Sequence, residues 1–584
     1  MWWKWSWLVA SVLLATPLQA QQSSDAQAPE AASAPVAGQK AATSKHWMVT
    51  AANPLAAEAG AAALRRGGNA IDALVATQLV LGLVEPQSSG LGGGAFLVFW
   101  DAERQALTTF DGRETAPRAA TPTLFQTENG QPLAFMEAVV GGRSVGAPGT
   151  PRLLETVHRR YGKLPWEQLA QPAIALAEKG FAVSPRLAEL IAGDVAMLKR
   201  NAAARAYFLD SEGAPLKSGT LLKNPAYADT LRLLARDGTD AFYDGALADE
   251  IVRTVHSGDN PGLLSRGDLR DYQVRERAPV CGAYRGFNVC GMGPPSSGAL
   301  TLGQILGILD AYDLKALGPQ SPQAWRLIAD ASRLAFADRE RYMADSDYVP
   351  MPTKGLLARD YLATRAQLLA GDDALPEVVA GSPTWDHAMA APGRADGDAP
   401  ELPSTTQITL VDADGNVVSM TSTIEAGFGS RLMVGGFLLN NELTDFSFRS
   451  QRNGVPVANR VEPGKRPRSS MTPTIVLKDG KPVLALGSPG GSQIIGYVAK
   501  TLIAHLDWGM PLAEAIAAPN MLARFDAVEI EQGSTAMSLE PEMRQLGFEV
   551  KTAPMTSGVQ AVAIGPEGLS GAADPRREGV AIGE

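Results

Sequence analysis

Ser404-Thr405-Thr406-Gln407-Ile408-Thr409-Leu410-Val411-Asp412-Ala413-Asp414-Gly415-Asn416-Val417-Val418-Ser419-Met420-Thr421-Ser422-Thr423 sets two runs rich in β-branched residues on either side of a cluster of turn formers. The pattern reads as a β-hairpin, because Val, Ile and Thr suit a pleated surface while Asp, Gly and Asn accommodate a turn. With Asp414 at the centre of a three- or five-residue loop, direct pairing sets Thr405 opposite Thr423, with Cβ atoms about 4.5–5.5 Å apart on one face. Two hydroxyls then meet at the mouth of a strand. Taken locally, a threonine there is an ordinary strand residue.

Upstream of this hairpin, residues 371–404 are polar and rich in Gly, Pro, Ala and Asp without a sustained period, so they read as an exposed segment leading into Thr405. Before that, residues 151–271 and 299–370 carry mostly helical patterning, for example Pro322 to Phe336 behind a Ser321 cap. A buried helix is expected from Ala70 to Val84, with Asn69 as N-cap, Asp72 at the third helical position and Gly67-Gly68 ending the element before it. The glycines Gly90 and Gly92-Gly93-Gly94 then feed an apolar strand, Ala95 to Trp100, a turn at residues 101–104 and a second strand toward Arg113. No Lys-Ser/Thr and no helix start follow these glycines, so close backbone packing accounts for them better than a phosphate loop.

At 584 residues, with 45% apolar and 20% charged residues, the chain describes a soluble globular protein able to bury a large core. Its net charge of -10 and the lack of a basic stripe argue against a nucleic-acid surface. Residues 1–20 combine Lys4, an apolar run from Trp5 to Thr16 and the small Ala20, which reads as a secretory signal peptide and implies export to the periplasm or beyond. An uncleaved membrane anchor is the rival reading, although the run is short for a span. Residues 21–44 read as a disordered leader rich in Ala, Gln, Ser and Pro. Cys281 and Cys290 flank a second expected hairpin, in which an Arg285-Gly286 loop makes Tyr284 and Phe287 the closing pair and sets the cysteines opposite each other. Export favours a disulfide there, and spacing alone also permits two buried thiols.

Asp479-Gly480 signals a third hairpin, and counting outward from it pairs Ser470 with Pro489 and Ser469 with Gly490. His46, His158, His256, His387 and His505 are scattered and lie in no hydrolase or metalloprotease motif, so they read as core or surface residues. Thr405 nevertheless offers a route to catalysis without histidine. If the Ser404-Thr405 bond is cut, the freed α-amine, of reference pKa about 7.7–8.0, lies beside its own hydroxyl and can take its proton.

The junction resembles the processing site of the gamma-glutamyltranspeptidases, which are N-terminal nucleophile hydrolases made as one chain and cut before a threonine. The resemblance runs from about Val49 to the C-terminus, through Gly67-Gly68-Asn69-Ala70-Ile71-Asp72-Ala73, Ser89 to Phe96, Asp111-Gly112-Arg113-Glu114-Thr115-Ala116-Pro117, Leu439-Asn440-Asn441-Glu442, Asp445-Phe446-Ser447, Lys465 to Met471 and Gly487-Ser488-Pro489-Gly490-Gly491-Ser492. It implies a four-layer αββα sandwich of the α/β class, assembled from a large piece, residues 45–404, and a small piece, residues 405–584. It also implies a glutathione hydrolase or γ-glutamyltransferase working through a Thr405 acyl-enzyme. Under it, Ser404 and Thr405 flank the cleaved bond, Thr423 hydrogen-bonds the nucleophile, and the Gly490 and Gly491 N–H groups form the oxyanion hole. Arg113, Ser469 and Ser470 hold the donor's α-carboxylate, while Glu442 and Asp445 hold its α-ammonium.

The resemblance calls for no cofactor or metal, and its partners are glutathione or other γ-glutamyl compounds with amino-acid or peptide acceptors. Neither nucleic acid nor, once the signal is removed, membrane is expected as a partner. Three departures stand out: Gln407 replaces a usual histidine, Glu425 replaces a usual asparagine, and the Phe446 to Gly464 connection is short for a loop that covers the site. Glu425 is expected beside the ammonium carboxylates. It also keeps alive an acylase acting on glutaryl- or other acyl-amides, and the alternative from another class is an unprocessed binding protein.

Overall fold

The computed structural model describes residues 41–386, 393–397, 399, 402 and 404–584. The signal peptide expected at residues 1–20 and the leader from residue 21 to residue 40 lie outside them. The hairpin at the junction sits in the middle of one seven-stranded sheet. Its order is Val580–Gly583, Met48–Ala51, Thr406–Val411, Val417–Thr423, Gly94–Asp101, Ala106–Gly112 and Arg275–Arg277. A second sheet of seven runs Ala41–Ser44, Gly568–Ala573, Gln560–Gly565, Lys481–Gly487, Thr474–Lys478, Phe287–Gly291 and Val280–Tyr284.

The two sheets pack face to face, and the period of two in their strands builds the layers. Met48, Val98, Val411, Val417, Ile475, Ala485 and Val562 fill the space between the sheets. The alternate residues Val49, Leu97, Ile408, Leu410, Val418 and Met420 face the other way, onto helices that include Pro54–Arg65 and Ala70–Val84. Val476, Leu484, Leu486 and Ala561 of the second sheet pack on helices Gly298–Leu309, Pro322–Tyr342 and Ile494–Leu506. The architecture is therefore helix, sheet, sheet, helix, with strands buried on both faces.

Several local readings hold in detail. Helix Ala70–Val84 starts at a capping box made by Asn69 and Asp72. The glycine run packs as expected, since a Cβ on Gly93 would stand 2.0 Å from the Thr423 carbonyl oxygen. Asp414 is the centre of a five-residue loop, and the register Thr406 to Ser422 extends to Thr405 opposite Thr423. Cys281 pairs with Cys290 and Tyr284 with Phe287, and the two sulfurs are bonded, with Cα atoms 4.0 Å apart.

Three expectations need correction. The leader expected through Ser44 ends sooner, because Ala41–Ser44 is an edge strand paired with Gly568–Ala573. Those four residues are too short a run to show a period, and their order comes from the ladder of the partner strand. The count from Asp479-Gly480 holds only as far as Leu477 opposite Pro482, beyond which a bulge shifts it and sets Val476 opposite Leu484. Pro482 has no N–H to give the ladder, which suits a bulge there, and Ser469 and Ser470 precede the strand altogether. Finally, the segment before the junction is not exposed to its end: Ser404 is 0% and Thr405 4% accessible.

Candidate active site

Thr405 lies at the open end of the hairpin, where its hydroxyl donates to the Thr423 hydroxyl at 3.1 Å. The Thr423 oxygen also accepts the Glu425 N–H at 2.8 Å, so it is fixed from two sides. The Ser404 carbonyl, on the other side of the uncut bond, accepts the Gly490 N–H at 3.1 Å. Thr405 has φ of 92°, which for a β-branched residue is a strained backbone of about 1–3 kcal/mol. The Thr405 hydroxyl, its hydrogen-bond partner and a backbone N–H donor thus converge on a single strained peptide.

The glycine turn that supplies this donor follows strand Lys481–Gly487 and leads into helix Ile494–Leu506. Gly490 has φ of 135°, and a Cβ on it would stand 2.7 Å from the Tyr497 ring. Only glycine fits there, which lets the backbone approach the junction. Gly491 lines the pocket beside Thr405.

Arg113, Thr405, Thr423, Glu425, Glu442, Asp445, Ser469, Ser470 and Gly491 all line this one pocket, as does Leu402 from the uncut chain. Arg113 leaves the end of strand Ala106–Gly112 and is buried, with its two terminal nitrogens bonded to Glu442 and Asp445. Its Nε donates to the Pro467 carbonyl at 3.2 Å and its Nη2 to the Arg468 carbonyl at 2.9 Å. Burial opposes the guanidinium charge, but the carboxylates of Glu442 and Asp445 outweigh it and raise the pKa above the ordinary value. Among the described residues, four of the five guanidinium N–H groups are engaged in this way.

The serines point their hydroxyls at the same space. Ser470 accepts from Arg339 at 2.7 Å and Ser469 from the Met471 N–H at 3.1 Å, so both hydroxyl protons are available to a carboxylate. Glu442 and Asp445 sit on a short 3-10 turn, Glu442–Asp445. Glu425 accepts from the Asn441 side chain and from the Leu402 N–H, the latter at 3.3 Å. Burial, aided by Glu442, pushes the Glu425 carboxyl up to about 8.

Two residues escape a reading of the sequence. Arg339, at the end of helix Pro322–Tyr342, clamps Ser470 and, at 2.8 Å, Ser297. Its helix period shows only a buried face, not what that face touches. Glu114 adjoins Arg113 and is fully buried, and its carboxylate oxygens meet no hydrogen-bond donor among the described residues. Burial first, then Glu442, raises its pKa well above 4.5. Beside an arginine, a glutamate in sequence looks solvated.

Other sequence features lie away from the pocket. Gln407 bonds Thr409, Ser419 and Thr421 between the sheets. His158, His256 and His505 bond backbone carbonyls, and His387 falls outside the described residues. The connection from Phe446 to Gly464 carries a small hairpin, Gln451–Arg452 with Val455–Pro456, and none of it lines the pocket. No helix among the described residues is long and apolar enough to cross a membrane.

Comparison with known proteins finds the family described as Gamma-glutamyltranspeptidase matching residues 56–584. The "Glutathione hydrolase proenzyme" of Bacillus subtilis (strain 168) is 40% identical over 551 residues, covering 92% of each chain. The "Acylase ACY 1 proenzyme" of Pseudomonas sp. (strain V22) is 34% identical over 93% of this chain and 94% of its own. Among solved structures, the cephalosporin acylase from Bacillus halodurans superposes with a TM-score of 0.81 at 25% identity, covering 95% of this chain and 99% of its own.

Proposed function

Because the chain belongs to the gamma-glutamyltranspeptidase family, we propose that it is a self-cleaving glutathione hydrolase and γ-glutamyltransferase, which moves a γ-glutamyl group from glutathione or a similar donor to water or an amine. The observation that carries this reading is the Ser404 carbonyl, held by the Gly490 N–H while the Thr405 hydroxyl waits on Thr423. One set of groups suits both the cut and the later chemistry.

In the cut, Thr405 Oγ1 attacks the Ser404 carbonyl carbon, and the Gly490 N–H takes up the charge on its oxygen. The carbon–nitrogen bond breaks, the hydroxyl proton ends on the Thr405 nitrogen, and the chain is held by an ester. Water then splits the ester, leaving a carboxylate on Ser404 and a free α-amine on Thr405. Release of the strained φ at Thr405 favours the forward direction.

In turnover, that amine takes the Thr405 hydroxyl proton as the oxygen attacks the donor's γ-amide. The leaving amine carries the proton away, and the γ-glutamyl ester is resolved by water or by an acceptor amine, which gives ping-pong kinetics. Arg113, Ser469 and Ser470 hold the donor's α-carboxylate, and Glu442, Asp445 and Glu425 hold its α-ammonium. A zwitterionic donor matches a pocket that sets one guanidinium and two hydroxyls against several carboxylates. The working enzyme is a heterodimer of its own two pieces, exported to the periplasm or outside.

A second reading, hydrolysis of glutaryl- or other acyl-amides, is favoured by the acylase relatives. Assay of the processed protein on matched γ-glutamyl and glutaryl amides separates the two. The proposal expects strong preference for the γ-glutamyl amide, because the glutaryl analogue leaves buried carboxylates without their cation. Equal or faster glutaryl turnover would favour the acylase, and inactivity on both would return the binding-protein alternative.

A further inference from the structure

Glu425 touches both sides of the bond to be cut. Its backbone N–H holds the Thr423 oxygen that receives the nucleophile's hydroxyl. Its carboxylate accepts the N–H of Leu402, two residues before the scissile carbonyl. A φ of 76° at Glu425 turns its backbone toward one and its side chain toward the other, a conformation that few glutamates adopt and that a local purpose has to justify. Asn441 steadies the carboxylate through Glu425 Oε2 and, through its own oxygen, the next backbone N–H at 3.0 Å. Leu402 meanwhile stands in the pocket that Arg113, Glu442 and Asp445 line.

From this geometry we infer that Glu425 is a positioning residue for self-cleavage: it anchors the Leu402 N–H and so holds the Ser404 carbonyl on Gly490 within reach of Thr405. The same contact keeps the uncut chain from binding a donor. Once the bond is broken, Leu402 leaves, and the carboxylate that held a backbone N–H is given over to the donor's ammonium. A peptide N–H is thus the stand-in, before cleavage, for the positive group bound afterwards. The inference rests on the self-cleaving reading above and adds to it a second task for one side chain.

The test follows cutting of the full chain made by cell-free translation, with the fraction processed read from gels over time. Glu425→Ala and Leu402→Pro, which removes the N–H, should each slow cutting on the order of tenfold. Glu425→Gln, which keeps the shape and an acceptor oxygen for the N–H, should cut faster than Glu425→Ala. The double variant Leu402→Pro with Glu425→Ala should be no slower than the slower single variant, because both remove one hydrogen bond. After complete processing, Glu425→Ala should raise KM for a γ-glutamyl amide, while Leu402→Pro leaves KM unchanged. Multiplied slowing in the double variant, natural cutting rates in Leu402→Pro, or Glu425→Gln cutting as slowly as Glu425→Ala would overturn the inference. A natural chain that never cuts itself would instead remove the function on which it rests.

Discussion

In the proposed mechanism Thr405 carries the chemistry, and its neighbours set how much of it survives substitution. Thr405→Ala should leave the chain whole, as a single band on a denaturing gel, because neither the attacking oxygen nor the free amine can form. Glu114 tests the electrostatics. Its pKa lies well above 4.5 in the fold, so the fold favours its protonated form. The stability this gives is complete below about pH 4.5 and is lost as pH rises through that value toward the folded pKa, at about 1.4 kcal/mol per pH unit. In the uncut Thr405→Ala chain, Glu114→Gln should therefore raise Tm at pH 8 and leave it unchanged at pH 4, as thermal melts at the two values would show. A Tm gain of the same size at both would mean that Glu114 titrates ordinarily. The pairing of Thr405 with Thr423 is legible in sequence, because a strand period of two and a turn centred on Asp414 fix it. The meeting of Arg113, Glu442 and Asp445 is not, since more than 300 positions separate the arginine from either acid and only the family blocks bring them together.

At the scale of elements, the glycine turn and the cysteine hairpin make opposite predictions. Gly490→Ala forces a Cβ against Tyr497 and draws the N–H away from the junction, so self-cleavage and kcat should both fall, the latter by about 10²–10³ as for other lost oxyanion donors. Gel time courses and steady-state kinetics measure the two, and an unimpaired variant would place the oxyanion hole elsewhere. The bond between Cys281 and Cys290 closes a short loop at the edge of the second sheet, so Cys281→Ser with Cys290→Ser should cost at most about 2–3 kcal/mol and spare kcat. Thiol titration of unreduced, unfolded protein should find no free thiol. This hairpin was legible because a tight turn fixes register over a few residues. The third hairpin was not, because counting from Asp479-Gly480 carries no sign of the bulge at Pro482. The buried polar strand faces are a further limit: Thr409, Ser419 and Thr421 alternate with apolar residues as in a half-exposed strand, yet they bond within and between the sheets.

At the scale of the molecule, the proposed cut before Thr405 falls at the end of a strand in a sheet drawn from both pieces. Thr406–Val411 pairs with Met48–Ala51, and Val417–Thr423 with Gly94–Asp101. In the second sheet, Thr474–Lys478 pairs with Phe287–Gly291 and Gly568–Ala573 with Ala41–Ser44. Separating the pieces would tear both sheets, so they should co-elute natively and part only on denaturation, into bands of roughly 40 and 19 kDa if the signal is removed. Dissociation on simple dilution would contradict this interleaving. The layers were expected from family resemblance, whereas the strand order depends on long-range pairing that no local pattern records. The central claim, that the chain cuts itself before Thr405 and then works through that residue, is tested most directly by mass spectrometry of the denatured enzyme before and after brief exposure to a γ-glutamyl donor. The account predicts a small piece that begins at Thr405 and gains the mass of one γ-glutamyl group on that residue. A piece beginning elsewhere, or an adduct on any other side chain, would contradict it.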